Sequence, residues 1–179
     1  SSNCALYCGA KVDFVDIDNQ TRNISIDELE IKLEKASQTN SLPKILIPVH
    51  FSGQPPDQEN IKRLSIKYNF KIIEDASHAI GASRNGELVG SCKWSDVTIF
   101  SFHPVKIITT GEGGSAMCND IKLYEEMKLL RSHGISRDVD KSLHGPWYYE
   151  QQKLGFNYRM TDLSAALGIS QLNRLSAFL

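Results

Sequence analysis

Asp75 and Lys106, whose side chains can act as an acid and a nucleophile, are 31 positions apart in the sequence. Each lies at or just beyond the end of a run of strand-forming residues. A carboxylate that ends a buried strand is costly unless it has a partner, so Asp75 could hold a protonated heterocyclic nitrogen. A lysine in a partly apolar loop can lose its proton through desolvation, and the neutral amine can then attack a carbonyl. The pair therefore indicates chemistry in which a Schiff base and a protonated ring act together.

Two further residues near this pair have the types that bind a phosphorylated ring. His78 follows Asp75 closely and could donate to a ring oxygen, and Ser101 precedes Lys106 and could donate to a phosphate. The glycines of 111–114 let the backbone approach a ligand. Each residue also has an ordinary interpretation, with Asp75 as a cap, His78 as a core residue and Lys106 as a solvated charge.

A third group of residues, at 155–161, leads into a segment with helical periodicity. The start of a helix favours anions, so Asn157 and Arg159 are candidates for phosphate contacts. The alternative is an ordinary helix entry with an arginine on the surface.

The combination is more specific than any single residue. Pyridoxal 5′-phosphate (PLP) needs an acid at its ring nitrogen, a lysine for the Schiff base and donors for its phosphate. Asp75, Lys106 and Ser101 supply these parts from the ends of two successive predicted strands. We therefore expect a PLP site with Lys106 as its catalytic residue.

Alternating strand and helix patterns position these residues. Apolar and β-branched runs predict strands at 11–17, 44–50, 71–74, 96–102 and 115–118. Helices are predicted at 26–36, 57–68, 120–132 and from 161 onward, with a turn at Asn85-Gly86 and a loop at 135–152. The pattern indicates a three-layer α/β/α fold with a mostly parallel sheet, in which ligands bind beyond the carboxyl ends of the strands.

Composition argues against several classes of partner. The 179 residues carry 20 basic and 21 acidic side chains, which gives no electrostatic case for nucleic acid or an anionic membrane. The apolar runs are far shorter than the roughly 20 residues that span a bilayer. The four cysteines match no zinc spacing, so we expect no metal site and a reducing, cytoplasmic compartment.

Four ordered motifs closely resemble those of the DegT/DnrJ/StrS family of PLP-dependent sugar aminotransferases. The resemblance runs through nearly the whole chain. The matching residues are Leu6-Tyr7, Gly9-Ala10 and Val15 to Asp18; Glu74-Asp75-Ala76 and His78; Ser101-Phe102-His103, Lys106 and Glu112-Gly113-Gly114; and Gly155, Asn157 to Met160 and Asp162. The resemblance implies the large domain of a fold-type I PLP-dependent transferase.

The same resemblance implies a role for each matched site residue. Asp75 would bind the pyridine nitrogen, His78 the ring hydroxyl and Ser101 the cofactor phosphate. Lys106 would form the Schiff base and carry protons. Asn157 would reach the cofactor phosphate of a neighbouring subunit in a homodimer. His103 and Arg159 would contact the substrate, Arg159 at the nucleotide diphosphate.

Two segments, 103–114 and 130–135, most resemble the branch of the family that serves pseudaminic-acid biosynthesis. That likeness implies amination of a UDP-linked 4-keto-6-deoxy-N-acetylhexosamine with L-glutamate as donor, although relatives aminate other nucleotide keto sugars with the same site. Family members are also longer at both ends. We therefore expect residues 1–179 to be part of the PLP-binding domain, with an N-terminal segment and a small C-terminal domain absent.

Three other functions compete with this interpretation. A PLP-dependent sugar dehydratase of the same fold has histidine in place of the lysine, whereas this chain has Lys106. A non-catalytic member of the fold is disfavoured by the intact set of Asp75, His78, Ser101 and Lys106. A doubly wound nucleotide-binding module would carry a G-x-G-x-x-G turn after a strand, and the sequence has none.

Overall fold

The computed structural model describes residues 1–136 and 145–179. The strands are β1 (Ile45–Leu46), β2 (Lys71–Asp75), β3 (Ser83–Arg84), β4 (Glu87–Leu88), β5 (Val97–Ser101), β6 (Gly114–Met117), β7 (Ile135–Ser136) and β8 (Glu150–Gln151). The α-helices are α1 (Ser2–Tyr7), α2 (Ile26–Gln38), α3 (Gln58–Tyr68), α4 (Ile121–Arg131), α5 (Asp162–Leu172) and α6 (Leu175–Phe178). One 3-10 turn covers Phe51–Gly53.

The central sheet has the strand order β1-β2-β5-β6. β2 pairs in parallel with β1 and β5, and β6 runs antiparallel to β5. The register places Glu74 beside Thr98 and Asp75 beside Ile99. The mostly parallel α/β architecture expected from the sequence is therefore confirmed, and the carboxyl ends of β2 and β5 lie side by side.

Two helices cover one side of this sheet and form the main core. α2 begins at Ser25, whose hydroxyl accepts from the Glu28 N–H, and α3 begins at Asp57, whose carboxylate accepts from the Asn60 N–H. Their apolar faces and β2 bury a shared cluster, which consists of Leu29, Leu33, Ile61, Leu64, Phe70 and Ile72. Each fully buried leucine contributes about 2 kcal/mol to folding, and its truncation to alanine costs about 3 kcal/mol.

A tight hairpin joins β3 to β4. Asn85 and Gly86 have φ values of 51° and 80°, the left-handed pair that a two-residue hairpin turn requires. The hairpin continues into Val89, which packs with Ala76, Ala79 and Phe100 in a second, smaller core cluster. The cluster fixes the chain that leaves β2, and this chain includes His78.

The strand expected at 11–17 does not form. The segment makes one isolated bridge, Ile17 to Ile24, and its aromatic residue Phe14 is 71% exposed. Asp13 and Asp16 accept from the N–H groups of the residues that follow them, and Lys32 of α2 donates to the Phe14 carbonyl at 2.6 Å. These side-chain bonds occupy backbone groups that a sheet neighbour would otherwise take.

Three other predicted elements differ from the structure in smaller ways. The strand expected at 44–50 is regular only at β1 and then makes a single bridge from Val49 to Asp75. The loop expected at 135–152 contains the short antiparallel pair of β7 and β8, and its residues 137–144 lie outside the described part of the chain. The last helix is interrupted at Asn173–Arg174.

None of the helices in the described ranges combines the length and apolar character that a membrane crossing requires. Within the same ranges, no three His, Cys, Asp or Glu side chains are grouped so that they could hold a metal ion.

Candidate active site

A cavity of about 260 Å³ opens at the carboxyl end of β2. It is lined by Val49, His50, Phe51, Ser52, Asp75, Ser77, His78 and Lys106. Three residues that the sequence singled out, Asp75, His78 and Lys106, therefore line one space. Parallel strands bring their carboxyl ends to one edge of the sheet, which is why residues from β2 and from the loop after β5 line the same cavity.

Asp75 is the acid of the cavity. The Ser77 hydroxyl and N–H donate to its Oδ1 at 2.6 and 3.2 Å, and the Ser1 hydroxyl donates to its Oδ2. Burial alone would raise the pKa of Asp75, but the hydrogen bonds from Ser1 and Ser77 outweigh it and lower the pKa. The group is therefore a carboxylate at neutral pH, as an acceptor for a protonated ring nitrogen must be.

Lys106 lies in a turn that follows β5. Its backbone N–H donates to the His103 carbonyl at 2.9 Å, and the residue, which is partly buried, lines the cavity. Among residues 1–136 and 145–179, no carboxylate forms an ion pair with the Lys106 amine.

Ser101 and His103 lie beside the cavity and are not part of its lining. The Ser101 hydroxyl accepts from the His103 N–H at 3.4 Å, at the last position of β5. His103 accepts at Nδ1 from the Val105 N–H, and its Nε2 lies 3.9 Å from Glu112 Oε1. Both residues thus shape the loop that presents Lys106, and the Ser101 hydroxyl keeps its proton available for donation.

The glycine turn after Lys106 is required by close packing. At Gly113, a Cβ would meet Thr110 Oγ1 at 2.3 Å and Met160 Cε at 2.9 Å. Thr110 is buried and donates to the Glu112 carbonyl. The turn therefore packs against the segment that leads into α5, and a side chain at Gly113 would push the two apart.

Asn157 and Arg159 do not reach this cavity. Both are exposed, in a segment held against the end of α4 by bonds from the Phe156 N–H to Leu130 O and from the Tyr158 N–H to Arg131 O, each 2.9 Å. Neither residue is among those that line the cavity. The roles of Asn157 and Arg159 thus stay predictions.

Four lining residues form one segment, 49–52, that the sequence motifs do not include. None of Val49, His50, Phe51 and Ser52 belongs to the motifs that contain Asp75 and Lys106. The available signal was position, because this segment follows β1 at the same edge of the sheet as Asp75. We call these four residues the 49–52 wall.

Behind the cavity, Glu74 is almost completely buried in a polar network. Thr98 Oγ1 and Ser95 Oγ donate to its Oε2 at 2.6 and 3.0 Å, and the Gln58 amide donates to its Oε1. Burial raises the pKa of Glu74, but the His50 imidazole, the Thr98 hydroxyl and the Gln58 amide outweigh burial and lower the pKa. A buried carboxylate thus stays charged next to the site.

Comparison with known proteins identifies similar sequences over the whole chain. A model described as the DegT/DnrJ/EryC1/StrS aminotransferase family matches residues 1–179. A UDP-4-amino-4,6-dideoxy-N-acetyl-beta-L-altrosamine transaminase of Campylobacter jejuni is 45% identical over 175 residues, which are 98% of this chain and 43% of the relative. A GDP-perosamine synthase of Caulobacter vibrioides is 38% identical over 179 residues, 100% of this chain and 44% of the relative.

Solved structures agree with the sequence relatives. Helicobacter pylori PseC, an aminotransferase involved in the biosynthesis of pseudaminic acid, superimposes with a TM-score of 0.85 at 32% identity, over 98% of this chain and 43% of that one. Spr1654 of Streptococcus pneumoniae, solved in a PLP-form, gives 0.79 at 28% identity, over 99% and 46%. The chain thus spans less than half the length of the relatives it matches.

Proposed function

Because the chain belongs to the DegT/DnrJ/EryC1/StrS aminotransferase family, we propose that the complete protein is a PLP-dependent aminotransferase of nucleotide-linked keto sugars. The observation that carries the proposal is the cavity that Asp75 and Lys106 share at the carboxyl end of β2. Residues 1–179 would be part of its cofactor-binding domain, and a small domain would lie outside them.

The lining of the cavity fits PLP. The cofactor, when bound, supplies a protonated ring that withdraws electrons from the reacting carbon. Asp75, whose pKa is lowered, would accept the hydrogen bond of the ring nitrogen and keep that nitrogen protonated. His78, exposed at the mouth of the cavity, would contact the ring hydroxyl.

Lys106 would have two tasks. Its amine, in the same cavity as Asp75, would bond covalently to the cofactor aldehyde before an amino donor arrives. Once displaced by the donor, the free amine would take the proton from the donor's α-carbon and return it at the neighbouring position.

Phosphate and substrate would be held by residues around the cavity. Ser101 would donate its hydroxyl to the cofactor phosphate, and His103 would contact the sugar substrate. Asn157 and Arg159 would act across a homodimer interface, Asn157 at the partner's cofactor phosphate and Arg159 at the nucleotide diphosphate. The exposure of Asn157 and Arg159, and their absence from the lining of this cavity, support this division.

The preferred substrate is a UDP-linked 4-keto-6-deoxy-N-acetylhexosamine, with L-glutamate as the amino donor. Support comes from the 45% identity to a UDP-4-amino-4,6-dideoxy-N-acetyl-beta-L-altrosamine transaminase and from the likeness to PseC. A second candidate is another nucleotide keto sugar, favoured by the GDP-perosamine synthase that matches all 179 residues at 38% identity.

The test uses the full-length protein and its Lys106→Ala variant. Each is loaded with PLP, treated with borohydride and analysed by mass, and wild type is incubated with glutamate and a panel of UDP- and GDP-linked keto sugars. We expect the cofactor to be fixed to wild type and not to the variant, and a 4-amino sugar from the UDP substrate.

Two results would contradict the proposal in different ways. A Lys106→Ala protein that keeps substantial turnover would remove Lys106 from its catalytic role. A wild type that binds PLP but aminates the GDP substrate in preference to the UDP one would favour the second candidate.

A further inference from the structure

The 49–52 wall supplies half of the residues that line the cavity, and the proposed function gives it no task. It is bonded to the proposed cofactor acid through the backbone. The His50 N–H donates to the Asp75 carbonyl at 3.0 Å, and the Asp75 N–H donates to the Pro48 carbonyl at 2.9 Å. Any shift of the wall would therefore change the space next to Asp75.

The wall is held in a strained conformation. Ser52 has φ 53° and ψ 26°, a left-handed conformation that a residue with a side chain adopts at a cost. Next to it, Gly53 approaches the His78 carbonyl so closely that a Cβ would lie 2.8 Å from the oxygen. Such strain persists only where surrounding contacts impose it, so the wall needs firm anchors.

One anchor is the buried Asn23. Its Oδ1 accepts from the Phe51 N–H at 3.0 Å, and its Nδ2 donates to the Gln54 carbonyl at 3.0 Å. These bonds span the 3-10 turn at both ends. They do not hold the His50 side chain, which points into the interior and is fully buried.

The other anchor is an ionisable pair. His50 is 1% exposed, and its Nε2 lies 3.6 Å from Glu74 Oε1, beyond hydrogen-bond distance. Neither ring nitrogen has a hydrogen-bond partner in the described ranges. Glu74 is itself fixed by Thr98, Ser95 and Gln58, so its carboxylate is a stationary charge facing the imidazole. Burial without a hydrogen bond is costly, and such an arrangement calls for an explanation beyond packing.

We propose that His50 is a positioning residue, which Glu74 holds in place so that the 49–52 wall keeps its shape against the bound cofactor and amino donor. This inference rests on the proposed function. The 49–52 wall does not include Lys106. Loss of the shape of the wall should therefore weaken binding of the cofactor and the amino donor much more than it slows the chemical step. The two adjacent acids then have different roles: Asp75 faces the ligand, and Glu74 fixes the position of His50 in the wall.

The test compares three variants of the full-length protein. His50→Phe keeps a ring and removes both nitrogens, His50→Gln keeps a donor near Nε2, and Glu74→Gln removes the charge with little change in shape. Leu33→Ala, in the core between α2 and α3, is the control for loss of stability alone. The measurements are the Kd for PLP from its visible absorbance, KM and kcat for glutamate, and amide hydrogen exchange at 50–54.

We expect His50→Phe and Glu74→Gln to raise the Kd for PLP and the KM for glutamate about tenfold while kcat changes less than about threefold. Exchange at 50–54 should accelerate in both variants and stay unchanged in Leu33→Ala. His50→Gln should recover most of the affinity. The double variant His50→Phe/Glu74→Gln should be no worse than either single variant, because the two residues act as one unit.

The positioning role is overturned if both single variants bind PLP and glutamate like wild type, or if Leu33→Ala reproduces their effects. Failure of the proposed function would appear elsewhere, in a wild type that takes up no PLP, and that result would overturn both. If His50→Phe does not fold, Glu74→Gln and His50→Gln decide the matter.

Discussion

Glu74 and Asp75 are neighbours in the chain, yet their carboxylates point to opposite faces of β2. Glu74 accepts from Thr98 of the adjacent strand inside the core, and Asp75 lines the cavity with Lys106. The alternation of a strand imposes this division, since successive side chains point to opposite faces. Both carboxylates have lowered pKa values, but Glu74 is in the core and Asp75 is in the cavity.

Replacing Asp75 with asparagine should leave PLP bound and reduce kcat by about a hundredfold or more, because an amide cannot keep the ring nitrogen protonated. Steady-state kinetics and the visible spectrum of the bound cofactor measure the two effects. Asp96→Asn is the matched control, since Asp96 is also ionised but bonds to Lys71 and to the Ile72 N–H at the opposite end of the sheet. Equal loss of kcat in both variants would contradict the role of Asp75.

Glu74→Gln should make stability less sensitive to acid. The folded state lowers the pKa of Glu74 below its ordinary value of 4.5, so its charge stabilises the fold above that pH, and the contribution disappears as the pH falls through the lowered value. At pH 7 we expect the variant to be less stable by about 2 kcal/mol. Urea unfolding from pH 7 to pH 3 should show the two proteins converging, and a constant difference across that range would disagree with this linkage.

Gly53→Ala should destabilise the protein more than Gly86→Ala. Both glycines have positive φ, 86° and 80°, so both substitutions carry the backbone penalty. Only at Gly53 would the new Cβ collide, with the His78 carbonyl at 2.8 Å, whereas nothing lies within 4 Å at Gly86. Thermal unfolding should show that Gly53→Ala lowers the free energy of unfolding by about 1 kcal/mol more than Gly86→Ala. Equal losses would mean that the backbone next to the 49–52 wall moves away from the His78 carbonyl without cost.

Subunit mixing should reveal where Asn157 acts. If Asn157 serves the partner's site, a dimer of one Lys106→Ala chain and one Asn157→Ala chain contains one complete site. An equal mixture of the two variants, refolded together, should recover about a quarter of wild-type activity, because half of the dimers are mixed and each has one of two sites. Each variant alone is the control, and a mixture no more active than their average would place Asn157 in its own subunit's site.

The residues that the sequence identified correctly are those whose signals are local. Helices α2, α3 and α4, capped by Ser25, Asp57 and Asp120, begin within one residue of the predicted starts at 26, 57 and 120, and Asn85-Gly86 forms the predicted turn. These signals operate within four residues of chain, so no distant neighbour can alter them. The segment 11–17 failed for the opposite reason, since a strand exists only if another part of the chain pairs with it.

The sequence alone determined that Asp75 and Lys106 follow adjacent parallel strands, which is enough to bring an acid and an amine to one edge of a sheet. Only the tertiary structure decided what surrounds them. His50 and Glu74 meet across 24 positions of chain, and the 49–52 wall takes its strained shape from Asn23 and Asp75. Such contacts depend on how distant segments pack against each other, and no local sequence pattern indicates which segments will pack together.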